Sequence, residues 1–199
     1  GPITSEPSAL MPGFLSKVNL LGRVVWTVEL GHFGMMRQRP ILALDASGNI
    51  YAAIREMTPG DGLVVEKWSP AGSRLWQRTI QGSEDGTPVG MSIRANNVYV
   101  TYGTTGDAVH AYGGWDTVVA LLSASTGMVS RQQQVGTRGD DIPRGSAILS
   151  DGTIVVAGYT NSAMYEVRSA ARVDEDFIIT RFSSNLAEVL GGRQWGTTA

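Results

Sequence analysis

From Phe14 onward the chain is built of short runs in which apolar and polar residues alternate, separated by compact polar turns. Four stretches share one order: "FLSKVNLLGRVVWTVELG" (14–31), "LVVEKWSPAGSRLWQRTIQG" (63–82), "VVALLSASTGMVSRQQQVG" (118–136) and "FIITRFSSNLAEVLGGRQWG" (177–196). In each, an alternating run meets a polar turn, a second run follows, and a glycine closes the stretch. The closing glycines Gly31, Gly82, Gly136 and Gly196 recur at intervals of 51, 54 and 60 residues. A period of two sends successive side chains to opposite faces of a strand, so each stretch reads as a hairpin. Three copies carry a tryptophan in the second run (Trp26, Trp76 and Trp195), and Val135 stands where the fourth copy has Trp195. The tryptophans are expected at one module position, filling the space between neighbouring sheets.

A second element lies between these copies: "ILALDASGNIYAAI" (41–54), "GMSIRANNVYVTYG" (90–103) and "SAILSDGTIVVAGY" (146–159). Each has two β-rich runs flanking a turn of Ser-Gly-Asn, Asn-Asn or Asp-Gly type, a strong hairpin signal. A full unit is then two hairpins, or four strands, in about 50 residues, the size of a propeller blade. The predicted fold class is all-β: a β-propeller fragment, or part of a larger propeller, made of four-stranded antiparallel blades. Residues 1–13 read as a protease-removed tag scar (Gly1-Pro2) and a lead-in linker, 14–31 as a half blade, and 32–82, 83–136 and 137–196 as three blades. Known propellers close with at least about four blades. The expectation is that the remainder of the propeller or another chain completes the ring.

The run "DASGNIYAA" (45–53), followed by Asp61 and then Lys67, Ser69, Gly72 and Trp76, resembles the blades of seven-bladed propellers called SBBP repeats. "LLSASTGMVS" (121–130) is similar to the turn of PQQ-like propeller blades. The resemblance covers Phe14 to Ala199 and implies the fold. It implies no activity, since propellers host unrelated functions, and no quinone cofactor.

Alternating strand direction places the links between hairpins on one face of such a blade and the turns within hairpins on the other. The within-hairpin turns are short. The opposite links are longer and chemically varied, notably "GTTGDAVHAYGGWD" (103–116) and "TNSAMYEVRSAARVDED" (160–176). Binding groups concentrate on loops held by a rigid scaffold, so a site is expected on that face.

Composition narrows the function classes. The formal net charge is -2, from 16 basic and 18 acidic residues, with no basic run, so a nucleic-acid partner is not expected. The chain has 25 glycines and 17% charged residues, a balance common in secreted all-β proteins, and an extracellular, cell-surface or periplasmic location is the reading. It has no cysteine, so disulfides and thiolate chemistry are excluded. No stretch approaches the roughly 20 apolar residues of a membrane span.

The candidate ligand-binding residues are His110, Tyr112 and Trp115 in "HAYGGWD", with Tyr165 and Arg168 from the 160–176 link. Aromatic rings beside polar groups suit stacking on a sugar or clamping a peptide, so the expected partner is a protein or a glycan. The competing reading of Tyr112 and Trp115 is a local apolar plug. Asp85, Asp140 and Asp141 are the candidate metal ligands, with Ca²⁺ the one cofactor considered; Asp commonly accepts turn N–H groups instead. Asp61, Asp116 and Asp176 recur before the third strand of each blade, which argues for a structural role.

No catalytic residue is assigned. The only histidines, His32 and His110, lie in different blades, and no nucleophile elbow, Walker loop, HExxH or dinucleotide fingerprint occurs. The leading reading is a non-catalytic recognition or scaffold module. One rival is a carbohydrate-active hydrolase or lyase using Asp141, Asp85 and Glu84. The other is a structural segment that completes a propeller with another chain.

Overall fold

The computed structural model describes residues 10–34, 39–56, 62–165 and 175–196, and every regular element among them is a strand. β1 (Leu10–Val18) and β2 (Val24–Gly34) form a two-stranded sheet. Three four-stranded sheets follow. The first contains β3 (Ile41–Leu44), β4 (Ile50–Arg55), β5 (Leu63–Trp68) and β6 (Arg74–Thr79). The second contains β7 (Thr87–Arg94), β8 (Asn97–Thr104), β9 (Asp116–Ser123) and β10 (Val129–Val135). The third contains β11 (Asp141–Ile148), β12 (Ile154–Thr160), β13 (Asp176–Phe182) and β14 (Val189–Trp195). Within each sheet the strands lie in chain order and pair antiparallel.

The sheets stack face to face in sequence, with a core at each junction. Leu15 and Leu30 meet Ala52, Ile54, Val64 and Trp68 at the first. Tyr51, Val65, Trp76 and Ile80 meet Val98, Val100, Val118 and Leu122 at the second. Tyr99, Val119 and Leu121 meet Ile154, Val156, Phe182 and Leu186 at the third. Neighbours such as Tyr51 and Ala52 thus enter different cores. A strand covered on both faces has no polar side to present, which is why β4, β5, β8 and β9 are almost continuously buried. β13, by contrast, alternates buried and exposed residues, with Phe177 and Arg181 outward.

The first strands lie in the order β3, β7, β11, each against the next, and mark the common axis. Arg94 of β7 ties two sheets there, donating to Leu149 O (2.8 Å) and Ser150 O (2.9 Å). Four-stranded meanders fanned about an axis are β-propeller blades, as the pattern predicted. The turns 45–49, 69–73, 95–96, 124–128, 149–153 and 183–188 sit at one end, and the described link residues 80–86, 105–115, 136–140 and 161–165 at the other. Among the described residues no helix is long and apolar enough to cross a membrane.

Register corrects the expected equivalence of the tryptophans. Trp26 pairs with Lys17 and Trp76 with Lys67, each beside a bulge next to the turn. Trp195 pairs with Phe177, the place that Val135 holds opposite Thr117. Its ring is 46% exposed and lies against Phe177, with centroids 5.5 Å apart, on the outward face of β13–β14. Trp76 is buried as expected and Trp26 half-buried. The closing glycines are offset as well: Gly136 and Gly196 directly follow Val135 and Trp195, whereas Gln81 separates Ile80 from Gly82.

Candidate functional site

The link 105–115 joins β8 to β9 and carries the most site-like sequence, yet its backbone is fixed from below. The buried Gln134 of β10 accepts from the N–H groups of Val109 (2.9 Å) and His110 (3.3 Å) through Oε1. Its Nε2 donates to Gly106 O (3.1 Å) and to Asp116 Oδ2 (2.7 Å). The same Asp116 oxygen accepts from Tyr112 N–H at 2.9 Å. One amide and one carboxylate therefore satisfy four main-chain groups that a solvent-facing loop would otherwise leave to water. The His110 and Tyr112 side chains stay exposed, in edge-to-face contact with centroids 4.8 Å apart and rings 89° apart.

Trp115 has a different task. It is half-buried against Gly103, its N–H donates to Asp140 Oδ1 (2.9 Å), and its carbonyl accepts from Asp141 N–H (2.6 Å). It bridges two sheets, in keeping with the plug reading for this ring, whereas Tyr112 does not fold back. Tyr165 turns inward over its own sheet: its hydroxyl donates to Thr180 Oγ1 (2.9 Å) and its ring lies at Gly192. Burial raises the Tyr165 pKa, only partly offset by that hydrogen bond. Arg168 and Asp61 lie outside the described residues. The structure thus brings His110 and Tyr112 together and sets the half-buried Trp115 and Tyr165 against Gly103 and Gly192.

The anchoring device occurs twice. Gln194 of β14 accepts from Met164 N–H (2.9 Å) and Tyr165 N–H (3.2 Å) and donates to Ser162 O (2.9 Å) and Asp176 Oδ2 (2.7 Å). This is the structural role expected of Asp116 and Asp176. Gln134 and Gln194 were missed, although each stands two residues before a closing glycine in a blade with a long link.

The three candidate metal ligands are engaged by the protein. Asp85 accepts from the hydroxyls of Thr104 and Thr105 and from Thr105 N–H at 2.6 Å. Burial pushes its carboxyl up, but these donors and the charge of Arg55 outweigh burial and hold it below the usual value. Asp140 holds Trp115 N–H and Asn161 Nδ2 (3.3 Å). Asp141 is fully buried, with Oδ2 accepting from the Thr137 hydroxyl (2.7 Å) and N–H, while its Oδ1 has no hydrogen-bond partner. Among the described residues no group of three or more His, Asp or Glu side chains is placed to hold a metal ion. Burial raises the Asp116 carboxyl from its ordinary value, with Asp141 adding to the rise and the Tyr112 and Gln134 hydrogen bonds opposing it.

No family model matches the chain, and no curated protein matches it. Among solved structures it is similar to extracellular domains 1–2 of Drosophila semaphorin 1b, with 11% identity and a TM-score of 0.48, over 81% of this chain and 34% of that one. The chain spans about a third of the length of that structure.

Proposed function

We propose that the chain is a non-catalytic recognition or scaffold module whose link-bearing face engages a protein or glycan partner, in an extracellular, cell-surface or periplasmic setting. The supporting observation is the His110–Tyr112 pair: two exposed rings in mutual contact on a backbone pinned by Gln134 and Asp116. Exposed aromatics that are already ordered lose little entropy on binding, which favours recognition. The hydrolase or lyase reading needs an acid of raised pKa within reach of substrate. Asp116 is raised but only 1% exposed, and Asp85 is lowered.

The test is a peptide and glycan array followed by melts with each hit, run with and without Ca²⁺. Ligand-dependent stabilisation that Tyr112→Ala and His110→Ala abolish supports recognition. Turnover of a glycan that disappears in Asp85→Asn or Asp141→Asn would move the assignment to the enzyme. A Ca²⁺-dependent rise in melting temperature that Asp140→Asn and Asp141→Asn remove would make these residues metal ligands.

A further inference from the structure

The links 105–115 and 136–140 run side by side. Gly114 N–H donates to Gly139 O (3.0 Å) and Trp115 N–H to Asp140 Oδ1 (2.9 Å), and a Cβ on Gly113 would stand 2.5 Å from the carbonyl carbon and oxygen of Arg138. Arg138 therefore leaves the main chain against the residue that follows Tyr112. Its side chain is exposed, and among the described residues it forms no hydrogen bond or ion pair, although Asp140 lies two residues on. The carboxylates nearby are turned to protein donors instead: Asp140 holds Trp115 N–H and Asn161 Nδ2, Asp141 holds Thr137, and Asp107 accepts from Ala111 N–H at 3.0 Å. A free guanidinium and two exposed rings, His110 and Tyr112, are thus carried by adjoining stretches of pinned main chain.

A guanidinium offers paired N–H donors that match a carboxylate, and a tyrosine ring offers an apolar face with a hydroxyl at its rim. An extended peptide would draw much of its affinity from main-chain hydrogen bonds. Here those groups are already engaged: the N–H groups of Val109, His110 and Tyr112 go to Gln134 and Asp116, that of Gly114 to Gly139 O, and that of Thr137 to Asp141. Recognition is left to side chains, which suits a sugar. We propose that Tyr112, His110 and Arg138 bind an acidic sugar, a uronate unit of a glycan, with Arg138 on its carboxylate and the Tyr112 ring against its apolar face. This assignment rests on the link-bearing face being a recognition surface, and it names the ligand class and the residue that selects it.

Oligosaccharides of galacturonate, glucuronate and mannuronate are titrated calorimetrically into the 199-residue chain, each beside its methyl ester, which keeps ring and linkage but removes the charge. A glutamate-rich peptide is run in parallel. Saturable binding of at least one uronate is expected, weakening as salt is raised and falling about tenfold or more for its ester, in Arg138→Ala and in Tyr112→Ala. Arg138→Ala removes an exposed side chain without partners, so its unfolding curve should overlay that of the parent. No uronate binding, equal affinity for acid and ester, or full affinity in Arg138→Ala overturns the proposal. Binding of the glutamate-rich peptide alone through Arg138 also overturns it, by giving the carboxylate to a protein. A neutral glycan bound through Tyr112 and His110 would sink the acidic sugar while leaving the recognition surface in place, whereas ligands indifferent to Tyr112 and His110 would remove both.

Discussion

Lys67 and Trp76, paired across β5 and β6, donate to the same carbonyl of the next sheet: Lys67 Nζ lies 2.9 Å and Trp76 Nε1 3.2 Å from Ala124 O. Lys17 and Trp26 do the same to Pro70 O, at 2.9 and 3.2 Å. Each glycine two or three residues beyond the acceptor has positive φ, and a Cβ there would strike the ring: Gly72 under Trp26, Gly127 under Trp76. At the third junction Leu121 and Arg131 replace the pair, and Tyr99 donates to Ser184 O (2.7 Å) instead. Trp76→Ala should cost about 3–5 kcal/mol, as for a large ring lost from a packed interior. Gly127→Ala should cost more than about 1 kcal/mol, from φ strain and overlap together. Urea unfolding of both variants measures this.

Asp85 and Asp116 should give opposite pH responses. Asp85 is lowered, so its contribution is present above the unfolded value near 3.8 and is lost as pH falls through the folded pKa. Asp85→Asn should therefore be less stable than the parent by about 1–2 kcal/mol at neutral pH, with the difference closing in acid. Asp116 is raised, so the parent loses stability as pH rises from about 3.8 through the folded pKa. Asp116→Asn, which keeps an acceptor for Tyr112 and Gln134, should gain relative to the parent over that rise. Unfolding free energies between pH 3 and 7 decide both signs.

Within the 105–115 link, exposure separates two aromatic substitutions. Tyr112→Ala should change stability by less than about 0.5 kcal/mol, since the ring faces solvent. Trp115→Ala should cost about 2 kcal/mol, because the half-buried ring packs on Gly103 beside the Asp140 and Asp141 contacts. Equal losses in thermal or chemical melts would contradict this division.

Glu66 is 1% exposed and depends on two donors, Trp68 Nε1 and Arg74 Nη1, both at 2.9 Å. Arg74→Ala should destabilise by about 2 kcal/mol, less than for a fully buried pair because the arginine is half-exposed. With Glu66→Gln in place the arginine substitution should cost clearly less. A double-mutant cycle reads the coupling.

The four-stranded module was legible because its signals are local: alternation fixes each strand, and turns such as "DASGN" and "SDG" fix each hairpin. The face bearing the long links followed from strand direction alone. Grouping Trp195 with Trp76 overlooked a spacing that the sequence does carry: Trp76 stands six residues before Gly82 and Trp195 one before Gly196, and with bulges at matching places, Lys67/Trp68 and Arg181/Phe182, the residue opposite Arg181 in the place of Trp76 is Gly191. The anchoring of the site was hidden for another reason. Gln134 meets Asp116 and Val109 across 18 and 25 residues, and nothing in a run of three glutamines marks the one that turns inward.

Because each core among the described residues joins two adjacent sheets, the 199-residue chain behaves as a row of coupled units, with the two inner sheets supported from both sides and the outermost from one. Heating should thus melt it from its extremities toward the middle: protease should first nick the polypeptide near residues 19–23, while Val100 and Ala120 keep their protons longest.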